Sequence, residues 1–200
     1  MANTPGATSM VSLALPSSPA ARLASQIGLA FAGTLVLAVA AKTKVPLGLV
    51  DMNLGTLAVM AIGVAFGWRL AVATLLLYLA EGAMGFPVFQ GTPEKGIGLA
   101  YMVGPTGGYL LGYVVLAAIT GWAADRGLDR KPVQLFGALL AGEVIMMALG
   151  FAWLGGLIGA AKAWTFGVQP FILVDLLKIA LVSAGAAGVW ALVDNLRGRA

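Results

Sequence analysis

The 200-residue sequence contains neither cysteine nor histidine. Without cysteine it forms no disulfide, offers no thiol nucleophile and holds no thiolate-ligated iron–sulfur cluster. Without histidine it lacks the commonest proton shuttle and metal ligand. Charge is scarce as well: Asp, Glu, Lys and Arg make up 10% of the chain, against a hydrophobic share of 60%. A soluble domain carries about 25% charged residues, so this composition points to an integral membrane protein with one membrane domain. The net charge of +4 does not point to nucleic acid. The basic residues stand at segment ends, as membrane topology requires, and not on one patch. No GxSxG, Walker A or metal-ligand set occurs. The chain is therefore expected to be neither an enzyme nor an ATPase, and to need no cofactor.

What the sequence does contain is six apolar segments: Arg22–Ala41, Leu47–Phe66, Trp68–Phe86, Leu99–Ala123, Val133–Ala160 and Phe171–Val193. Most reach the roughly 20 residues that cross a hydrocarbon layer about 30 Å thick. The breaks between them, at Lys42–Pro46, Gly67–Trp68, Pro87–Gly98, Asp125–Pro132 and Lys162–Pro170, carry charge, Gly or Pro. This predicts an all-α integral membrane protein with six transmembrane helices over residues 21–195. A flexible cytoplasmic tail is expected over Met1–Ala20, which lacks the basic region of a secretory signal. A short basic tail follows at 196–200. Six spans put both termini on one side. With that side cytoplasmic, Arg22, Arg69, Arg126, Arg130, Lys131, Arg197 and Arg199 lie inside, against Lys42, Lys44, Lys95 and Lys162 outside. The connector Asp125–Arg130 reads as solvated and structural.

Five ionisable residues fall at membrane depth: Asp51, Glu81, Glu143, Asp175 and Lys178. A charge near the bilayer centre costs about 2.5–3.5 kcal/mol on insertion scales and usually marks a pathway or pocket. Asp175 and Lys178, three residues apart, share a helix face. Together they offer a carboxylate acceptor and three ammonium donors. They form either a ligand site or an ion pair that holds two helices in register. Glu143 either faces Lys178 or a ligand, or is a lipid-facing or helix-bonded acid. Glu81 and Asp51 stand near segment ends, within reach of interfacial water.

The stretch Gly85–Gly96 is too rich in Gly and Pro for a helix and reads as an outer loop. It leads into Gly104-Pro105-Thr106-Gly107-Gly108-Tyr109, which lacks the spacing of a phosphate loop. At membrane depth such a string predicts an interrupted helix, tolerated where the backbone is buried or lines a cavity. Tyr109 adds an aromatic wall with a hydroxyl. In the first segment Ala20, Ala24, Gly28 and Ala32 recur every four residues, a smooth stripe that packs on a neighbouring helix or docks another membrane protein.

Three pieces together, Gly85–Phe89, Gly104–Leu110 and the late Asp175-Leu176-Leu177-Lys178, give the chain a resemblance to BioY. BioY is the biotin-binding S-component of energy-coupling factor (ECF) transporters, and the resemblance runs from about Val45 to Val193. It implies the ECF S-component fold, a pocket opening outward, and biotin as ligand. It also implies a membrane coupling protein and ATP-binding-cassette ATPase subunits as partners, and a place in the bacterial inner membrane. By position it puts Asp175 and Lys178 at the ureido end of biotin, with Thr106, Gly107, Tyr109 and Glu143 as further pocket residues. The stripe Ala24, Gly28 and Ala32 becomes the docking face for the coupling protein. The chain departs from the family's Pro-Val-Pro-x-Thr-x-Gln-Thr-Leu lead-in to the second helix, where Val50–Leu57 keeps only Thr56-Leu57. It has Leu110 where some relatives place an Arg, which leaves Lys95 to meet the biotin carboxylate. The alternatives are an S-component for a related small acid, or an autonomous small secondary transporter or channel.

Overall fold

Ser18 and Pro19 start the first helix. The Ser18 hydroxyl accepts the Ala21 N–H at 3.2 Å, and Pro19 takes the first helical position, where its missing N–H is no loss. The computed structural model describes residues 9–46 and 51–197. Its helices are α1 (Pro19–Lys42), α2 (Gly55–Phe66), α3 (Trp68–Ala83), α4 (Gly98–Met102), α5 (Gly107–Asp125), α6 (Pro132–Ile158), α7 (Ala160–Gly167) and α8 (Ile172–Arg197). Two three-residue strands, β1 (Lys44–Pro46) and β2 (Asp51–Asn53), pair antiparallel between α1 and α2, with Lys44 opposite Asn53. Residues 1–8 and 198–200, the latter including Arg199, lie outside the described residues, as do the side chains of Lys44, Asp51 and Arg197.

Helix α5 is the centre of the bundle and packs on α2, α3 and α6. Helix α8 lies against α6 and α2, and α1 against α3 and α2. Among the described residues four helices, α1, α5, α6 and α8, are long and apolar enough to cross a membrane. Helix α2 has only 12 residues and α3 only 16, or about 18 and 24 Å at 1.5 Å per residue. The second segment was predicted to begin at Leu47. It begins eight residues later because 51–53 pair with 44–46, and because the Asn53 side chain accepts the Gly55 N–H at 2.7 Å, starting the helix there. The fourth predicted segment is split as the Gly104–Gly108 string foretold: α4 stops at Met102 and α5 starts at Gly107. The fifth ends at Gly159, whose φ of 86° breaks the helix and turns the chain back into α7.

The predicted tail is partly ordered. Met10–Leu13 forms a 3₁₀ turn that packs on α2, and α1 is under way before Ala20. The connector Asp125–Arg130 is structural, as expected, but only partly solvated. Asp129 is buried and accepts the Trp190 indole N–H, while burial in this turn pushes its carboxyl above the usual range. Arg130 lies over the same indole, 3.8 Å from its centroid. Asp125 accepts the backbone N–H of Trp68 at 3.0 Å and so caps the start of α3. Only one residue, Gly67 with φ 75°, joins α2 to α3, and a side chain there would run into the Asp125 carboxylate. Glu81 ties two helices by accepting the Thr34 hydroxyl at 3.0 Å.

At one end of the bundle α1, α3 and α6 finish while α2, α5 and α8 begin. The hairpin of β1 and β2, the segment 84–97 and α7 all lie at that end, because each connects helices there.

Candidate ligand-binding site

That end encloses a cavity of about 210 Å³. Three helix N-termini, those of α2, α5 and α8, bring residues to it, and their partial positive charge favours acceptor groups nearby. Asp175 stands in the first turn of α8, where the dipole favours a carboxylate.

Asp175 and Lys178 line this cavity together and are only 3% and 6% exposed. The Lys178 ammonium donates to Asp175 Oδ1 at 2.9 Å and to Thr56 Oγ1 at 2.8 Å. Thr56 comes from α2, so the ion pair of α8 is held by a second helix. Two of the three ammonium protons are thus committed, and one is left for a ligand acceptor. Asp175 Oδ2 is buried without a hydrogen-bond partner. Replacing Thr56 with valine keeps its shape and removes both contacts of its hydroxyl, the one accepted from Lys178 and a longer one donated to Asp175 Oδ1 at 3.4 Å. We expect Thr56→Val to weaken ligand binding by about tenfold, the equivalent of one lost hydrogen bond to a charged group, and Thr56→Ser to retain it. Equal calorimetric affinities for the Val and Ser variants would show that the hydroxyl plays no part.

The opposite wall is aromatic and is closed by the loop between α3 and α4. Phe89 is buried between two tyrosines: it meets Tyr78 edge-on at 5.3 Å and stacks on Tyr101 at 5.1 Å. The Tyr78 hydroxyl donates to the Val88 carbonyl and the Tyr101 hydroxyl to the Gln90 carbonyl, at 2.9 and 2.8 Å. The Asn53 amide donates to the Gln90 side-chain oxygen at 2.5 Å. The ring of Phe89 sits where a side chain on Gly82 would otherwise stand.

The residues singled out from the sequence do not all meet at this cavity. Asp175, Lys178, Thr106 and Tyr109 line the cavity. The hydroxyl of Tyr109 is already committed, donating to the Gly167 carbonyl at 2.7 Å. Gly107 is buried beside Trp153 and the Met102 carbonyl, and shapes the break between α4 and α5 without lining the cavity. Glu143 is 4% exposed and its two carboxyl oxygens have no hydrogen-bond partner. It lines a second, mostly apolar cavity between α6, α7 and α8, which it shares with Asp175. Lys95 stays exposed, its alkyl chain lying on Gly91, and does not reach the cavity lining. The loop inserts Phe89 and Gln90 toward the cavity and turns Lys95, the residue expected to meet a bound carboxylate, outward. Ala24, Gly28 and Ala32 are exposed on α1.

The sequence reading missed Asn53, Thr56, Tyr78, Gln90, Tyr101 and Tyr113, all of which line the cavity. Asn53 and Thr56 flank the only Gly of a polar stretch at the start of an apolar run, a signal that was available. Nothing local marks Gln90 or Tyr113.

The model of the BioY family matches residues 9–195. A biotin transporter of Rhodobacter capsulatus is 39% identical over 160 residues, covering 72% of this chain and 82% of that protein. The biotin transporter BioY2 of Lactococcus lactis subsp. cremoris is 31% identical over 153 residues, 76% of this chain and 82% of that protein. A probable biotin transporter of Pyrococcus horikoshii is 32% identical over 157 residues, with 78% and 91% coverage. The crystal structure of an S-component for biotin from an ECF-type ABC transporter superposes with a TM-score of 0.72, covering 88% of this chain and 95% of that one, at 18% identity. That likeness is one of fold.

Proposed function

The chain belongs to the BioY family, and from that premise we propose that it is the substrate-binding membrane subunit of an ECF-type biotin transporter. The observation that carries the reading is the buried Asp175–Lys178 pair in the wall of a cavity closed by an aromatic loop. Biotin is polar at both ends and apolar between them. A ureido carbonyl accepts the free Lys178 proton, and a ureido N–H donates to the Asp175 carboxylate. Leu110, Met146 and Phe166 line the cavity for the fused rings and the alkyl chain. Asn53, Gln90 and Thr106, near the start of α5, then stand for the carboxylate end in place of Lys95. The test is calorimetry of the detergent-solubilised protein with biotin. Saturable tight binding supports the reading, and no heat with biotin while a shorter acid binds moves the assignment to another ligand.

Six spans, termini on the cytoplasmic side and the inner membrane follow from the same reading. Helices α2 and α3, though short, complete three hairpins, and the end bearing Arg22, Arg69, Arg126, Arg130 and Lys131 lies inside. The cavity and its closing loop then face outward.

The partners are a membrane coupling protein and ATP-binding-cassette ATPases, since the chain carries no nucleotide motif of its own. Helix α1 supports a docking role. Ala24, Gly28 and Ala32 run down its exposed side among Leu23, Ile27, Phe31 and Leu35, which are exposed too. A side chain built on Gly28 would meet no atom within 4 Å. Internal packing therefore gives no reason for the stripe, and close approach of a foreign helix does. Gly28→Trp is expected to leave biotin binding intact while the ATPase subunits no longer co-purify. Loss of biotin binding with the complex still assembled would reverse the assignment.

A further inference from the structure

The bundle end opposite the cavity carries an apolar groove with no role in ligand binding. Trp68, at the start of α3, forms one wall, and Ala118, Ile119 and Trp122 of α5 form the floor and the other wall. Its volume is about 530 Å³. The two indoles are 44% and 45% exposed. Each carries an arginine on its ring: the Arg69 guanidinium lies 5.4 Å from the Trp68 centroid, and that of Arg126 lies 4.3 Å from the Trp122 centroid.

The groove is built rigidly. The Trp68 backbone presses so close to Gly121 that a side chain there would overlap it. The Trp68 N–H is also held by Asp125 at 3.0 Å. The backbones of α3 and α5 that carry the two walls therefore keep their spacing without any occupant. Asp125 lies behind Trp68, and its Oδ2 is engaged by that N–H. Among the described residues neither Arg69 nor Arg126 forms an ion pair. Each indole of the apolar slot thus carries a cation against its ring, at a helix-end level rich in tryptophan, which is the level of lipid headgroups.

We infer that this groove binds an anionic phospholipid, one acyl chain lying between Trp68 and Trp122 and the phosphate held by Arg69 and Arg126. Charge complementarity selects this occupant. A zwitterionic lipid brings its own cation to the two guanidiniums, whereas a singly negative headgroup does not. Basic pockets between helices at a membrane face hold anionic headgroups by the same physics.

The test places the full chain in nanodiscs of phosphatidylcholine doped with a small share of brominated phosphatidylglycerol or brominated phosphatidylcholine. Quenching of tryptophan fluorescence reads lipid contact, and the ratio of the two lipids removes any change in the intrinsic signal. Brominated phosphatidylglycerol is expected to quench more. Arg69→Gln and Arg126→Gln are each expected to lower that preference by about fivefold, the worth of one basic residue near an anionic surface. Both side chains are exposed, so the fold is undisturbed. Ala118→Phe fills the slot with both arginines in place and is expected to lower the preference too. Equal quenching by the two lipids overturns the inference. So does a preference that survives in the Arg69→Gln/Arg126→Gln double variant, which would place the lipid on Arg130 and Lys131. Reversal of quenching by millimolar inorganic phosphate would mean a site for the free anion and likewise overturns it.

Discussion

Lys178→Ala is expected to abolish tight biotin binding and to destabilise the protein together. Among the described residues Lys178 is the one cation held by Asp175, and the pair is almost fully buried. Removing it strands a carboxylate, which costs about 3–5 kcal/mol. It also removes the proposed donor to the ureido carbonyl, and losing one partner of a buried charged contact costs a ligand about 2–5 kcal/mol, or roughly thirty- to several-thousand-fold in affinity. Asp175→Asn is expected to weaken binding similarly, since an amide of the same shape no longer balances the ammonium. The two roles of the pair separate in a double variant, Asp175→Leu/Lys178→Met. Apolar replacements of a buried pair are often neutral or stabilising. This variant is therefore expected to melt no lower than the parent while binding no biotin. Calorimetry and thermal unfolding on the same samples decide the matter. A double variant that still binds biotin would place the site elsewhere, and one that fails to fold would make the pair structural.

The second large effect is expected at Gly82, which no contact with ligand explains. A single methyl there would overlap the ring of Phe89. Gly82→Ala should therefore push Phe89 out from between Tyr78 and Tyr101 and free the loop that carries Gln90. Exposing one phenyl side chain forfeits about 1.5–3 kcal/mol, so biotin affinity should fall roughly ten- to hundredfold, mainly through faster release. Phe89→Ala should have a similar effect by removing the ring itself. The Gly82→Ala/Phe89→Ala double variant should be no worse than Phe89→Ala alone, because the methyl then fills vacated space. Strictly additive losses in measured release rates would show that Gly82 acts on something other than Phe89.

The helices were legible because hydrophobic length is a strong signal in a chain with so little charge. The ion pair was legible for the same reason: Asp175 and Lys178 stand out in an apolar run, and their spacing fixes a common face. What escaped depends on contacts across the fold. Thr56 belongs to the site only because α2 packs against α8, and nothing within either segment states that pairing. Gln90 enters because Tyr101, Tyr78 and Asn53 fasten its loop inward, and the same fastening turns Lys95 out. The boundaries of α2 and α5 moved because strand pairing at 51–53 and the Gly104–Pro105 break override apolar periodicity. Glu143 was recognised as out of place, yet only the structure puts it in a second cavity backed against Asp175.

The shortness of α2 sets a length scale for the cargo. Its 12 residues span about 18 Å, roughly 12 Å less than a hydrocarbon layer of about 30 Å. Thr56, one residue in, stands with Lys178 at the bottom of the cavity. The reach from the ion pair to the closing loop is thus set by how late a helix starts, more than by the bulk of any side chain. One added turn at the start of α2 would raise the bottom by about 5.4 Å. Relatives that took up shorter or longer molecules would then differ first in chain length ahead of Gly55, with Asp175 and Lys178 left untouched.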